Sequence, residues 1–217
     1  MFRDDHLPKS RRGDVIQNDI TGERAIVLVG THESQDGRTV GFLGVRPGSP
    51  VVGEHVHPTI TERFRVVSGR LCVRISGAES ILGPGDEVTV PPGVPHHWWN
   101  AGDVEAQVVV DMDPGRRFEL MLCTVCGLAN DGLTNEKGMP RLLQLAVIAH
   151  EFGDVIEFVR PPRALQRLAF ALLAPVGRVL GYRPCYERYM RPYARVDVIP
   201  DLLEFVDDDG RDAAAAA

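Results

Sequence analysis

Between residues 15 and 111, short runs of β-branched and apolar residues alternate with Gly, Pro, Asn and Asp. The runs occupy 24–29, 39–45, 51–56, 62–67, 71–75, 87–90, 98–100 and 106–111. Runs of this length, spaced at about 8 to 12 residues with no helical period between them, predict antiparallel strands rather than βαβ units. The expected architecture is mainly β, a barrel of about eight strands. After Pro114-Gly115 the period changes. Phe118, Met121, Leu122 and Val125 fall at i, i+3, i+4 and i+7, and Leu165, Leu168, Ala169, Leu172, Leu173 and Val176 repeat that stripe. Leu142, Leu145, Ala149, Phe152 and Ile156 mark a helix between them.

Three segments follow from this: a β-barrel over 1–113, a helical extension over 114–206, and a disordered acidic and alanine-rich tail over 207–217. Residues 132–140 and Pro161-Pro162 read as the linkers between helices, and Pro175 is expected to kink or shorten the last one. The apolar stripes cannot all face water, so the extension is expected to cover a mouth of the barrel or to form a dimer interface.

Composition narrows the partner. With 24 Lys+Arg against 30 Asp+Glu the net charge is −6, which exerts no general pull on nucleic acid or anionic lipid. A small molecule is the expected ligand. The four cysteines, at 72, 123, 126 and 185, are too few and too unevenly spaced for a disulfide framework. The N-terminus is charged and polar where a secretion signal would be apolar, and the window 165–180 is broken by Arg167, Pro175 and Arg178. A cytoplasmic protein with no membrane span is the expectation. G-x-G-x-x-G, P-loop and G-x-S-x-G motifs are absent from the sequence, which argues against nicotinamide, nucleotide and serine-hydrolase chemistry.

Chemistry concentrates in the histidines at 55, 57, 96 and 97. On a strand, His55 and His57 point to one side, roughly 6.6 Å apart at Cα, so their imidazoles can converge on one ion. Glu62 opens the next run after a short turn, and a carboxylate from that neighbouring strand can complete one side of a metal. His96 follows the stiff segment Pro91-Pro92-Gly93-Val94-Pro95 and is expected to reach in from across the barrel. Burying these four groups together without an ion would be costly. His97 should face outward. His6, His32 and His150 sit in no motif and are expected at the surface or on a helix.

These residues resemble the two motifs of the cupins. His55-Val56-His57, Glu62 and Gly69 stand at the spacing of the first, and Gly85, Pro91, Gly93, His96 and Asn100 at that of the second. One position departs: the glycine that leads the first motif would fall at Ser49, with Gly48 as its nearest substitute, so that turn is expected to be displaced by one residue. The resemblance spans about residues 40 to 112 and leaves the helical half unaccounted for. It implies a jelly-roll barrel holding one divalent metal on His55, His57, Glu62 and His96, and a protein that pairs as a homodimer.

Three imidazoles and a carboxylate suit Fe(II), favoured here, or Mn(II), Ni(II), Co(II) or Zn(II). The expected activity is a dioxygenase-type oxidation of a small organic molecule, with Glu62 able to act as base. Isomerase, decarboxylase or lyase chemistry without oxygen, and ligand binding without turnover, stay open beside it. Phe64, Val66 and Trp98 are expected on the metal's side of their strands, either as an apolar substrate wall or as barrel filling, with Trp99 outside under a helix. Cys123 and Cys126 form a lone CxxC, read as helix packing. All four tyrosines lie between residues 182 and 193 among three arginines, and are expected to pack on the barrel.

Overall fold

The computed structural model describes residues 7, 9–34, 37–49, 52–198 and 200–207. The strands are β1 (Asp14–Gln17), β2 (Arg24–Val29), β3 (Thr39–Val45), β4 (His55–Val56), β5 (Thr61–Ser68), β6 (Leu71–Ile75), β7 (Ala78–Leu82), β8 (Glu87–Val90), β9 (His96–Asn100), β10 (Ala106–Asp113), β11 (Glu157–Phe158) and β12 (Ala194–Arg195). The helices are α1 (Arg116–Asn130), α2 (Leu142–Glu151), α3 (Arg163–Val179) and α4 (Pro200–Asp207). Two antiparallel sheets result, ordered β12-β1-β2-β3-β10-β5-β8 and β11-β4-β9-β6-β7. The described residues thus hold twelve strands where the sequence pattern predicts about eight.

Alternation along the strands builds the layers. Phe64 and Val66 of β5, Val73 of β6, Trp98 of β9 and Val108 of β10 meet between the sheets in one apolar cluster. Val109, one residue on, faces the other way, where Leu28, Val40 and the α4 residues Leu202 and Val206 cover the outside of the large sheet. A third cluster joins the barrel to the helices through Ile60, Met112, Leu120, Ile148, Phe152 and Val155.

Turn chemistry sets the register. Gly69 opens the β5–β6 hairpin at φ +78, and a Cβ there would lie 2.7 Å from the Cα of Ala106. Ser76 and Gly77 both have positive φ and close β6 onto β7 as a two-residue turn. Gly48 takes φ +69, which places the displaced turn where the sequence expects it.

Several expectations need correction. β7 escapes the hydrophobic pattern because four of its five residues are exposed and Leu82 alone packs against the barrel cluster. β11 and β12 are two residues each and exist only through pairing, to β4 and β1. Pro175 lies inside α3, which runs on to Val179 without being shortened. Tyr189 packs on Gly127 of α1, and Tyr186 donates to Gln144 of α2, so these two tyrosines dock on helices rather than on the barrel. The α3 stripe is exposed, whereas Leu120 and Met121 of α1 are buried. The tail expected at 207–217 lies outside the described residues, save for Asp207, which ends α4.

Candidate metal centre

His55 and His96 are direct partners in the β4–β9 pairing, so two imidazoles leave adjacent strands of the small sheet side by side. Their ring centroids are 4.3 Å apart. Glu62 belongs to β5 of the large sheet and reaches across the barrel. This reverses the expectation that Glu62 is the strand neighbour and His96 the residue from across. Which strands pair is decided by long-range topology, which local spacing does not encode. His57 follows β4 directly and shares the inward face of His55. Its carbonyl accepts from the backbone N–H of Gly93, which ties the turn before β9 to the His55–His57 segment.

All four side chains are buried, and their ligand atoms lie within 4.8 Å of one another. His55 Nε2 is 3.2 Å from His57 Nε2, His96 Nε2 is 2.8 Å from Glu62 Oε2, and His57 Nε2 is 3.6 Å from that oxygen. Each imidazole is oriented from behind by a main-chain carbonyl. His55 Nδ1 donates to Gly53 at 2.9 Å, His57 Nδ1 to Val155 at 2.6 Å and His96 Nδ1 to Val94 at 3.0 Å. A carbonyl can only accept, so the proton of each neutral ring sits on Nδ1 and a bare Nε2 lone pair faces the centre.

That arrangement tests the fit of a cation. Two bare nitrogens 3.2 Å apart cannot hydrogen-bond to each other. Despite their closeness, Glu62 Oε2 and His96 Nε2 are buried without a hydrogen bond of acceptable geometry. Burial pushes His55 down to about 3, which keeps it neutral. Burial also works against the charged form of Glu62. In the metal-free centre a proton taken up by an inward nitrogen of His57 or His96 outweighs it, through hydrogen bonding and attraction to the carboxylate, and holds the carboxyl down to about 2. Burial works against the charged form of His96 as well, and Glu62 reverses that effect, so its net shift is upward. Three inward lone pairs and one carboxylate form a donor set that fits a divalent ion. His55, His57, Glu62 and His96 are the residues that would hold it.

His55, His57 and Glu62 stand in the wall of a cavity of about 730 Å³ that runs from the barrel into the helical half, and His96 is not part of its lining. Trp98 lines it from β9, Phe118, Met121 and Leu122 from α1, and Phe170 from α3. Phe118 stands edge-on to His57 at 5.8 Å. Phe64 and Val66 are not among the lining residues. They are fully buried in the cluster behind Trp98, because the inward face of β5 meets the cavity only at Glu62.

Two contributors have no direct signature in the sequence reading. Phe118 belongs to the predicted α1 stripe, but its contact with His57 depends on how α1 docks. Val155 contributes a main-chain oxygen, which any residue type would supply. The turn that carries Val155 is clamped by Arg117, whose guanidinium binds both oxygens of Asp154 and the carbonyl of Glu151.

The remaining sequence candidates lie outside the four-residue centre, although Cys126 and His150 line the cavity. His97 faces outward beside Trp99, with ring centroids 5.1 Å apart. Trp99 is covered by Arg74, 5.3 Å above its ring, instead of by a helix. His32 and His150 are exposed, and His6 lies outside the described residues. Cys123 and Cys126 are free thiols that burial pushes up, which leaves them unreactive.

The profile of the family described as Cupin domain matches residues 41–112, which ends within β10. Protein SchB of Streptomyces halstedii is 33% identical over 114 residues, covering 51% of this chain and 74% of SchB. Polyketide synthase CurC of Streptomyces cyaneus is 37% identical over 81 residues, 36% of this chain and 52% of CurC. The chain thus spans about three quarters of the first and about half of the second. Among solved structures, an RmlC-like cupin from Shewanella frigidimarina superposes with a TM-score of 0.41 at 20% identity, covering 54% of this chain and 96% of that one.

Proposed function

This chain belongs to the cupin superfamily, and we propose that within it the protein is a metal-dependent enzyme acting on a bulky, largely apolar organic molecule, by dioxygenase-type oxidation. The observation that carries this reading is the placement of the His55 and His57 imidazoles and the Glu62 carboxylate in the wall of an apolar cavity, with the buried His96 completing the donor set 2.8 Å from Glu62. Fe(II) is the proposed ion, with Mn(II), Ni(II), Co(II) or Zn(II) compatible with the same donors. When bound, it would polarise a substrate oxygen and supply a redox centre for dioxygen.

The chain's own residues do the rest. Trp98 and Phe118 give the substrate an apolar wall on either side of the ligands, and the buried surroundings keep water away. Glu62, ionised at neutral pH, is the group within reach to take a proton from an enol or phenol. The likeness to a protein named as a polyketide synthase, together with the cavity volume, supports a polyketide-like, carbonyl-rich substrate. The proposed setting is the cytoplasm. Among the described residues, no helix is long and apolar enough to cross a membrane.

That same likeness favours a second reading, in which the site isomerises, cyclises or decarboxylates the substrate without oxygen. Elemental analysis of protein purified without chelator comes first, followed by turnover of polyphenolic and poly-β-keto probes with and without air. Oxygen consumption in step with product formation supports the oxygenase. Full turnover without air, or with Zn(II) replacing iron, selects the non-oxidative reading. Binding with no probe ever consumed would reduce the protein to a binding module.

A further inference from the structure

The inner face of α3 is committed to its neighbour α2. A Cβ on Gly177 would lie 2.7 Å from the side chain of Val147 and 2.9 Å from the carbonyl of Leu143, so the two helices touch at backbone distance. Ala174 is fully buried in the same contact. The outer face is different. Leu165, Leu168, Leu172, Val176 and Val179 are 57%, 59%, 66%, 50% and 88% exposed.

Their spacing has a twofold symmetry. Leu165 and Leu168 stand seven and four positions before Leu172, and Val176 and Val179 stand four and seven after it. At about 100° per residue, all five fall within about 40° of a single line along the helix. Ala169 and Pro175, three positions to either side of Leu172, flank that line symmetrically. Such a ridge maps onto itself when a second copy is laid antiparallel on it, as an isologous interface requires. Leu165 then meets the partner's Val179, Leu168 meets the partner's Val176, and Leu172 meets the partner's Leu172.

Area and charge agree with that occupant. The exposed parts of the five side chains amount to about 600 Å² per copy, the upper end of what a monomer leaves bare. Two copies would bury about 1,200 Å², the lower bound of a stable interface. Arg163, Arg167 and Arg178 border the ridge, and each is held by a carboxylate of its own chain, Glu157 for the first two and Glu151 for the third. The ridges can therefore approach without three bare positive charges on each copy. A helix that lies on anionic lipid would instead keep its cations free for headgroups.

We propose that α3 is the twofold interface of a homodimer, packed antiparallel on the α3 of a second copy with Leu172 on the axis. Its inward residues Gln166 and Phe170 line the cavity, so the partner helix would brace one wall of the site from behind.

Sedimentation equilibrium of the full chain tests this. The wild type is expected to be a dimer at micromolar concentration. Leu172→Glu, which puts two carboxylates on the axis, should weaken association by about 100-fold or more. Its melting as a monomer should be unchanged, because Leu172 touches no core. Under mild oxidation Leu172→Cys should cross-link to itself, whereas Leu165→Cys should cross-link only when mixed with Val179→Cys. The wild type, with its native cysteines, is the control. A chain that stays monomeric at every concentration overturns the proposal, and so does a dimer that survives Leu172→Glu or a Leu165→Cys that cross-links to itself. A monomer that binds phosphatidylcholine–phosphatidylserine vesicles and loses that binding in Leu172→Glu would assign the face to lipid instead.

Discussion

His57 and Val155 stand 98 positions apart, and the Nδ1–H of the first donates to the carbonyl of the second over 2.6 Å. One of the four candidate ligands is therefore aimed by the helical half, so the extension is part of the candidate metal centre. No side-chain substitution deletes a carbonyl, but the clamp on its turn can be removed. Arg117→Ala frees Asp154 and the carbonyl of Glu151. It is expected to cost about 1 to 2 kcal/mol of stability and to weaken metal binding about 10-fold. Arg38→Ala, which breaks a similar bidentate pair with Asp111 on the large sheet, should cost comparable stability and leave metal binding unchanged. Metal titration and urea unfolding of both variants give the comparison.

Metal binding should appear directly in stability. An ion held only by the folded chain adds about 4 kcal/mol when present at a thousand times its dissociation constant. In His96→Ala and Glu62→Gln that increment should vanish, with the melting temperature insensitive to added Fe(II), Mn(II) or Zn(II). Differential scanning calorimetry with and without chelator measures it.

Acid should destabilise the metal-free chain in a defined window. His55 sits at about 3 in the fold against an ordinary value of 6.5, and Glu62 at about 2 against 4.5. In both cases the unfolded chain binds the proton first, so stability is full above the ordinary value and falls as pH drops toward the folded one. His96 is shifted upward, and its contribution is already complete below pH 6.5. Between pH 6 and pH 4, then, the slope from this centre has one sign, with stability declining as acid is added. Unfolding in urea at several pH values should show that decline reduced in His55→Ala.

Asn100, the last position of the second motif, has a structural task. Its side-chain amide donates to the carbonyls of Val45 and Val104, and its oxygen accepts from the N–H of Gly102. Asn100→Ala leaves these groups unpaired, at a cost of about 2 to 4 kcal/mol. Metal stoichiometry should hold in whatever fraction remains folded, which a parallel measurement of unfolding and metal content will show.

The ligands were legible because their chemistry is in side chains at fixed spacing. Their neighbours were less so. That His96 lies beside His55 while Glu62 crosses the barrel depends on which strands pair, and nothing local to either residue states it. Phe64 and Val66 obey the alternation that makes them inward, yet the cavity turns toward α1 and leaves them in the packing behind Trp98. β7 carries no hydrophobic alternation to detect. The α3 stripe was plain as a period, but a period does not say whether the face it defines turns inward.

The pairing of β11 with β4 bears on how the protein is made. β4 is two residues long, and Phe158 is its register partner at His55 on the side away from His96. A nascent chain that has left the ribosome only as far as the end of β10 carries both histidine motifs, but one flank of His55 is bare and His57 lacks its acceptor. Residues 155 to 158, which lie beyond the barrel strands, therefore complete the surroundings of both histidines, and a chain made only as far as β10 would lack them.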